Sequence, residues 1–148
     1  MQMIKRIREI AKIARAQMEG GLCPRCHCFD YTEYLVSLLY SRCGIEAQHV
    51  IGVVLYDDYY RGDKDAWGNH QWAMVGDVLV DISGDQFSIP EDDGYVPIRG
   101  KRRIPKVNVI PWSKASGGRR PVYAYEESGP HYVPRTCRMN YVRKKCSC

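Results

Sequence analysis

The stretch HQWAMVGDVLVDIS (residues 70–83) decides the fold and the candidate site of this 148-residue chain. Its glycine-aspartate pair at 76–77 is a typical two-residue turn. This turn predicts an antiparallel hairpin in which Val75 pairs with Val78. Side chains alternate between the faces of a strand, so this register places His70 and Asp81 on one face as diagonal neighbours. Their Cα atoms are then about 7–8 Å apart, within reach of an imidazole and a carboxylate, and a shift of one residue would separate them. The opposite face of the hairpin is apolar and is predicted to pack against the core; it consists of Ala73, Val75, Val78, Val80 and Ile82.

A second stretch, CFDYTEYLVSLLYSRCG (residues 28–44), predicts an amphipathic helix with a cysteine in its first turn. Apolar side chains recur at helical spacing, and Gly44 is a typical helix stop. The start of a helix carries partial positive charge and N–H groups without an intrahelical partner. Cys28 is therefore favoured as a reactive thiolate whose own N–H can donate to an oxyanion. A neighbouring His70 imidazolium would stabilise that thiolate, whereas Cys43 is interpreted as a packing residue.

Length and composition are typical of one domain covering residues 1–148. A hydrophobic content of 45% and a charged content of 26% are ordinary for a globular protein with a real core. No apolar run approaches transmembrane length, and no signal-peptide pattern follows the basic start, so we expect a cytoplasmic protein. The net charge of +5 permits acidic partners without requiring them.

The first 19 residues alternate apolar and basic side chains at helical spacing, and Gly20 and Gly21 follow. This pattern predicts an N-terminal helix that packs on the domain and exposes a solvated basic face. A membrane-surface or targeting helix is the alternative. The basic positions are Lys5, Arg6, Arg8, Lys12 and Arg15.

The flanks of the hairpin are less regular. Residues 47–56 predict a central strand in which His49 is structural, and the polar residues 57–69 predict a surface loop leading into the hairpin. Residues 94–148 predict additional strands and a basic C-terminal tail. The tyrosines of that tail, Tyr123, Tyr125 and Tyr132, are expected to cover the sheet or the site.

Cysteines cluster at both ends of the predicted domain. Cys23 and Cys26 form a C-x-x-C unit, and Cys146 and Cys148 lie at the far end of the chain. Four thiolates from these pairs would form a structural zinc site. Reduced thiols are the alternative, because C-x-C is a less usual half-site and disulfides are not expected in the cytoplasm. Zinc is thus an additional hypothesis, and the candidate chemistry requires no cofactor.

Several short motifs occur in a particular order: Cys28-Phe-Asp-Tyr-Thr, Gly44-Ile-Glu-Ala, His70-Gln-Trp72, Val80-Asp-Ile-Ser, and Asp85-Gln86-Phe. Each is weak alone, but in this order and spacing they are similar to the transglutaminase-like superfamily, including bacterial and phage proteins. The resemblance covers about residues 21–87, the core of the predicted domain. Thr32 departs from it, since a small residue is usual at that position.

This resemblance implies a papain-like α+β fold with N-terminal helices packed on an antiparallel sheet. It also implies a catalytic triad in which Cys28 is the nucleophile, His70 the general base and acid, and Asp81 the residue that orients the histidine. The shared chemistry is an acyl-enzyme thioester, reached in cysteine peptidases, deamidases and acyl transferases acting on protein or peptide substrates. Candidate residues of the substrate cleft are Trp67, Trp72 and Gln86.

Other interpretations remain open. Cys26 is an alternative nucleophile if the helix begins elsewhere, and His70 and Asp81 are alternatively an ordinary strand histidine and a strand-end residue. A second class of protein is a catalytically silent binding module of the same fold. A third class is a small zinc-stabilised nucleic-acid-binding protein, suggested by 11 tyrosines and a basic tail. No recognised nucleic-acid motif accompanies those residues, so this class is not favoured.

Overall fold

A computed structural model describes residues 2–24, 27–58, 63–88, 104–117 and 121–125, without the side chains of 56–58, 63–67 and 87–88. These residues form three helices, five strands and a short 3₁₀ helix. The helices are α1 (Gln2–Glu19), α2 (Cys28–Cys43) and α3 (Trp112–Ala115). The strands are β1 (Gln48–Asp58), β2 (Asp63–Val75), β3 (Val78–Asp81), β4 (Asn108–Pro111) and β5 (Val122–Ala124). The 3₁₀ helix spans Gly84–Ser88.

The five strands form one antiparallel sheet in the order β4-β3-β2-β1-β5. The β2–β3 hairpin has the register that the sequence predicts, with Val75 opposite Val78 around Gly76. Gly76 has a φ of 57°, a left-handed conformation that glycine adopts without a steric penalty. The hairpin prediction is therefore confirmed, and the mixed helix and antiparallel sheet confirm the α+β class.

Helices α1 and α2 pack together on one face of the sheet. Their buried side chains meet the apolar face of the β2–β3 hairpin, which is the predicted core face. Gly44 ends α2 with a φ of 63°, and its N–H donates to the carbonyl of Tyr40. The members of this core on the helices are Ile7, Ile10, Ala11, Ala14, Tyr31, Leu35, Leu38 and Leu39.

The other face of the sheet curls around a second core, so that the sheet forms a half-barrel. Trp72 lies at the centre of this core, and Tyr123 from the edge strand β5 packs edge-to-face against it, with ring centroids 5.1 Å apart. Gly52 lets the Trp72 ring lie close to the backbone of β1, because a Cβ at this position would lie 2.5 Å from the ring. The curl brings β5 towards β3 although two strands separate them in the sheet.

Two expectations are wrong in part. Most of the predicted surface loop over residues 57–69 belongs to the ends of β1 and β2, where Val53 lies opposite Asn69. Backbone pairing with the β-forming run of β1 outweighs the turn preference of the polar residues. Arg15 was expected on a solvated basic face, but it is buried in the structure because it binds Asp85. No helix in the described part of the chain combines the length and apolar character needed to cross a bilayer.

Candidate functional site

His70 and Asp81 form a hydrogen-bonded pair inside the half-barrel. The Nε2 atom of His70 lies 2.8 Å from Oδ2 of Asp81, and both side chains are fully buried. An ionised carboxylate can only accept, so the Nε2–H of His70 is the donor in this bond. The other ring nitrogen, Nδ1, takes no part in this bond with Asp81.

The electrostatics of this pair favour a charged histidine. Burial alone lowers the pKa of His70, but the Asp81 carboxylate and the Cys28 side chain outweigh burial and raise this pKa to about 10. Burial raises the pKa of Asp81, yet the His70 charge and hydrogen bonds from His70, Tyr123 and Ser83 lower it overall. The arrangement thus favours an imidazolium paired with the Asp81 carboxylate.

Cys28 lies at the first residue of α2 and its side chain is half-buried. The helix begins where the sequence predicts, and Tyr31 N–H donates to the carbonyl of the N-cap residue His27 at 2.9 Å. The His27 side chain makes no capping bond to the helix. A hydrogen bond between Cys28 and His70 contributes to the raised pKa of the histidine. The structure therefore brings together the three residues predicted as the triad.

Asp81 has two further partners that the sequence did not assign to it. The Tyr123 hydroxyl donates to Oδ2 of Asp81 at 2.6 Å, and the backbone N–H of Ser83 donates to Oδ1 at 3.0 Å. Asn108 in turn donates from Nδ2 to the Tyr123 hydroxyl at 3.4 Å. Tyr123 was expected only to cover the sheet or the site. No local pattern connects it with a residue 42 positions earlier.

Gln86, a predicted cleft residue, lies directly at the histidine. Its side-chain amide lies 2.9 Å from Nδ1 of His70: the NH2 group can donate to a neutral imidazole, and the amide oxygen, after a flip of the amide, can accept from the imidazolium. The preceding residue, Asp85, forms a two-pronged ion pair with Arg15 at 2.6 and 2.9 Å. Arg15 also donates to the carbonyl of Ile82 at 2.9 Å. Helix α1 thereby holds the segment that carries Gln86.

The two tryptophans predicted for the cleft lie in β2. Trp72 is fully buried, with its ring centroid 6.1 Å from that of His70, so it supports the histidine from the core. The prediction that its ring lines an open cleft receives no support from this position. The backbone of Trp67 pairs with Leu55, and its side chain lies outside the description. His49 lies 2.5 Å from the Gln71 side-chain oxygen, as expected for a structural histidine.

The predicted zinc site falls largely outside the described residues. Cys23 is exposed, while Cys26, Cys146 and Cys148 belong to segments of which the structure gives no description. Within the described ranges, no group of three or more histidine, cysteine, aspartate or glutamate side chains is arranged to hold a metal ion. The zinc hypothesis and the alternative nucleophile Cys26 therefore remain predictions.

The fold and the site define an α+β protein that places a cysteine at a helix start beside a buried histidine–aspartate pair. Comparison with known protein families, with curated proteins and with solved structures gave no match.

Proposed function

We propose that this protein is a thiol enzyme that acts on an amide or peptide bond through Cys28, His70 and Asp81. The observation that carries the proposal is the fully buried His70–Asp81 bond of 2.8 Å beside the first residue of α2. A nucleophile, a base and a group that orients the base are the parts that covalent acyl transfer requires. A transglutaminase-like or papain-like core, as the sequence resemblance implies, is part of this proposal.

The first half of the reaction forms a thioester. The Cys28 thiolate attacks the carbonyl carbon of the amide, and the carbonyl electron pair moves onto oxygen, to which the Cys28 N–H would donate. The intermediate collapses with cleavage of the carbon–nitrogen bond. His70 delivers the proton on Nδ1 to the leaving nitrogen and becomes neutral, while Asp81 continues to accept from Nε2.

The second half releases the acyl group. Water or an amine gives a proton to Nδ1 of His70 and attacks the thioester carbonyl. The carbon–sulfur bond then breaks, and the products are free Cys28 thiolate and protonated His70. Water gives hydrolysis of a peptide or deamidation of glutamine, and an amine gives transamidation. The proposed substrate is a protein or peptide.

Burial of His70 and Asp81 gives a physical reason why Asp81 can orient and charge the histidine. In a water-excluded site, the opposite charges of His70 and Asp81 interact more strongly than they would at the surface. The desolvation of both groups is offset by several hydrogen bonds to the carboxylate, from His70, Tyr123 and Ser83. An activated thiolate persists in a reducing compartment, so a cytoplasmic location belongs to the proposal.

The test is alkylation by iodoacetamide at graded pH, read by intact mass. We expect one cysteine to react rapidly below pH 7, because an imidazolium stabilises the thiolate. This fast phase should disappear in Cys28→Ser and slow by about tenfold in His70→Ala at pH 6, as expected for a shift of one pH unit. Cys43→Ser is the matched control, because Cys43 lies at the opposite end of α2 and should leave the fast phase unchanged.

Uniformly slow labelling of the thiols, unaffected by Cys28→Ser and His70→Ala, would contradict the enzyme proposal. It would favour a silent binding module with the same fold. Tightly bound zinc together with nucleic-acid affinity that falls steeply with salt would instead support the third class.

A further inference from the structure

We infer that Tyr123 is a positioning residue of the proposed site: its hydroxyl holds the Asp81 carboxylate in the orientation that serves His70. The inference rests on the proposed function, because it assigns a task within that same site. It extends the site beyond the resemblance, which ends near residue 87, to an edge strand near residue 123.

The direction of each hydrogen bond around the tyrosine is determined by chemistry. Asn108 donates from Nδ2 to the Tyr123 oxygen, so the single hydroxyl hydrogen of the tyrosine is available for Asp81. Oδ2 of Asp81 lies 2.6 Å from that hydroxyl and 2.8 Å from Nε2 of His70. One carboxylate oxygen therefore accepts from both the tyrosine and the histidine.

The second carboxylate oxygen is occupied as well. Oδ1 accepts from the backbone N–H of Ser83 at 3.0 Å. Donors on both oxygens restrict rotation of the carboxylate plane, and Tyr123 is the donor that acts on the same oxygen as His70. A tyrosine ring in a packed core is itself rigid, because it touches Trp72 edge-to-face with centroids 5.1 Å apart. The aromatic core of the half-barrel thus supports the orientation of Asp81.

The neighbouring glycine leaves room for this contact. A Cβ at Gly84 would lie 2.3 Å from Oδ2 of Asp81 and 3.0 Å from the Tyr123 hydroxyl. A side chain at position 84 would therefore force the carboxylate and the phenol to move. Gly84→Ala disturbs the contact without removing the hydroxyl, and it provides a second variant.

The hydroxyl also affects the charge balance of the site. The Tyr123 hydrogen bond lowers the pKa of Asp81, and burial together with the Asp81 charge raises the pKa of Tyr123 well above its usual range. The Tyr123 phenol therefore stays a neutral hydrogen-bond donor at neutral and acidic pH. Without it, the carboxylate would lose the donor that keeps Oδ2 directed at Nε2 of His70, and a carboxylate that turns away would stabilise the His70 imidazolium less.

The experiment compares Tyr123→Phe with wild type in the alkylation assay across pH. Loss of the hydroxyl should move the midpoint of rapid Cys28 labelling upward by about one pH unit, in line with a hydrogen bond to a charged group. Tyr34→Phe is the matched control, because Tyr34 donates its hydroxyl to Gln17 between α1 and α2 and should leave the midpoint unchanged. NMR titration of the His70 ring should show a lower pKa in Tyr123→Phe than in wild type.

The outcomes separate this inference from the proposed function. A wild type without rapid Cys28 labelling would overturn both. A wild type with rapid labelling and an unshifted Tyr123→Phe profile would overturn the positioning role alone, even if its melting temperature fell, because a purely structural residue changes stability but not the midpoint. If Tyr123→Phe does not fold, Gly84→Ala replaces it, and an unshifted midpoint in folded Gly84→Ala contradicts the inference.

Discussion

The protonation of His70 is the most consequential property at the scale of a single residue. A fully buried imidazole is ordinarily neutral, since burial penalises the charged form. Here Asp81 and Cys28 reverse that preference and raise the pKa of His70 to about 10. The His70 side chain therefore stays protonated at neutral pH, next to the N-terminus of α2.

This raised pKa predicts how stability depends on pH. Between the ordinary value of 6.5 and about 10, the folded protein keeps the His70 proton whereas the unfolded chain releases it. The stability that His70 contributes is thus fully present below pH 6.5 and is lost as pH rises towards about 10. Urea unfolding over this range should show a steeper decline for wild type than for His70→Gln. Equal slopes in wild type and His70→Gln would refute the assignment.

At the scale of elements, the contact between α1 and the 3₁₀ helix shows what a sequence pattern conceals. Arg15 lies on the helix among basic residues that look alike in sequence, yet it alone of this set is buried in the described structure. It binds Asp85 with two nitrogens, bonds Ile82 and lies over the Tyr31 ring at 5.6 Å. One side chain therefore joins α1, α2 and the segment that carries Gln86.

Breaking this ion pair from one side should destabilise the fold strongly. Arg15→Met leaves the Asp85 carboxylate without its partner, and we expect a loss of about 3–5 kcal/mol in the free energy of unfolding. Lys12→Met is the control on the same helix; Lys12 is exposed, so a change within about 0.5 kcal/mol is expected. Chemical denaturation measures both. The double variant Arg15→Met with Asp85→Asn should lose less than the sum of the single variants, and simple additivity would argue against a coupled pair.

Local chemistry explains which elements the sequence could predict. The β2–β3 hairpin and the start and end of α2 depend on residues close in the chain, such as Gly76 and Gly44, and they were predicted correctly. His70 and Asp81 were predicted to meet because both lie in that hairpin. The bond from Tyr123 to Asp81 and the burial of Arg15 were not predicted, because the partners lie 42 and 70 positions apart and only the folded sheet brings them together.

The curl of the whole sheet determines whether the site is complete. Asp81 is in β3, His70 in β2 and Tyr123 in the edge strand β5 beyond β1, so a flat sheet would keep the tyrosine away from the carboxylate. The curl also encloses the aromatic core around Trp72, which excludes water from the histidine–aspartate pair. Site and architecture are therefore coupled across the complete half-barrel.

Gly52 provides a test of this coupling. A Cβ there would lie 2.4 Å from the Ala124 carbonyl and 2.5 Å from the Trp72 ring, so Gly52→Ala must displace the backbone of β5 or the central tryptophan. We expect a loss of about 1–3 kcal/mol in the free energy of unfolding, typical of overpacking. Because β5 carries Tyr123, the midpoint of rapid Cys28 labelling should also rise, as in Tyr123→Phe.

Chemical denaturation and hydrogen exchange at the amides of residues 122–124 measure the two effects of Gly52→Ala. Faster exchange in β5 is expected together with the shifted labelling midpoint. Gly117→Ala is the matched control, since among the described residues its Cβ would meet only the Ser113 carbonyl at 3.7 Å, an ordinary contact. If Gly52→Ala loosened β5 but left the labelling midpoint at its wild-type value, the edge strand would contribute stability without contributing to the site, and the coupling between sheet curl and chemistry would be wrong.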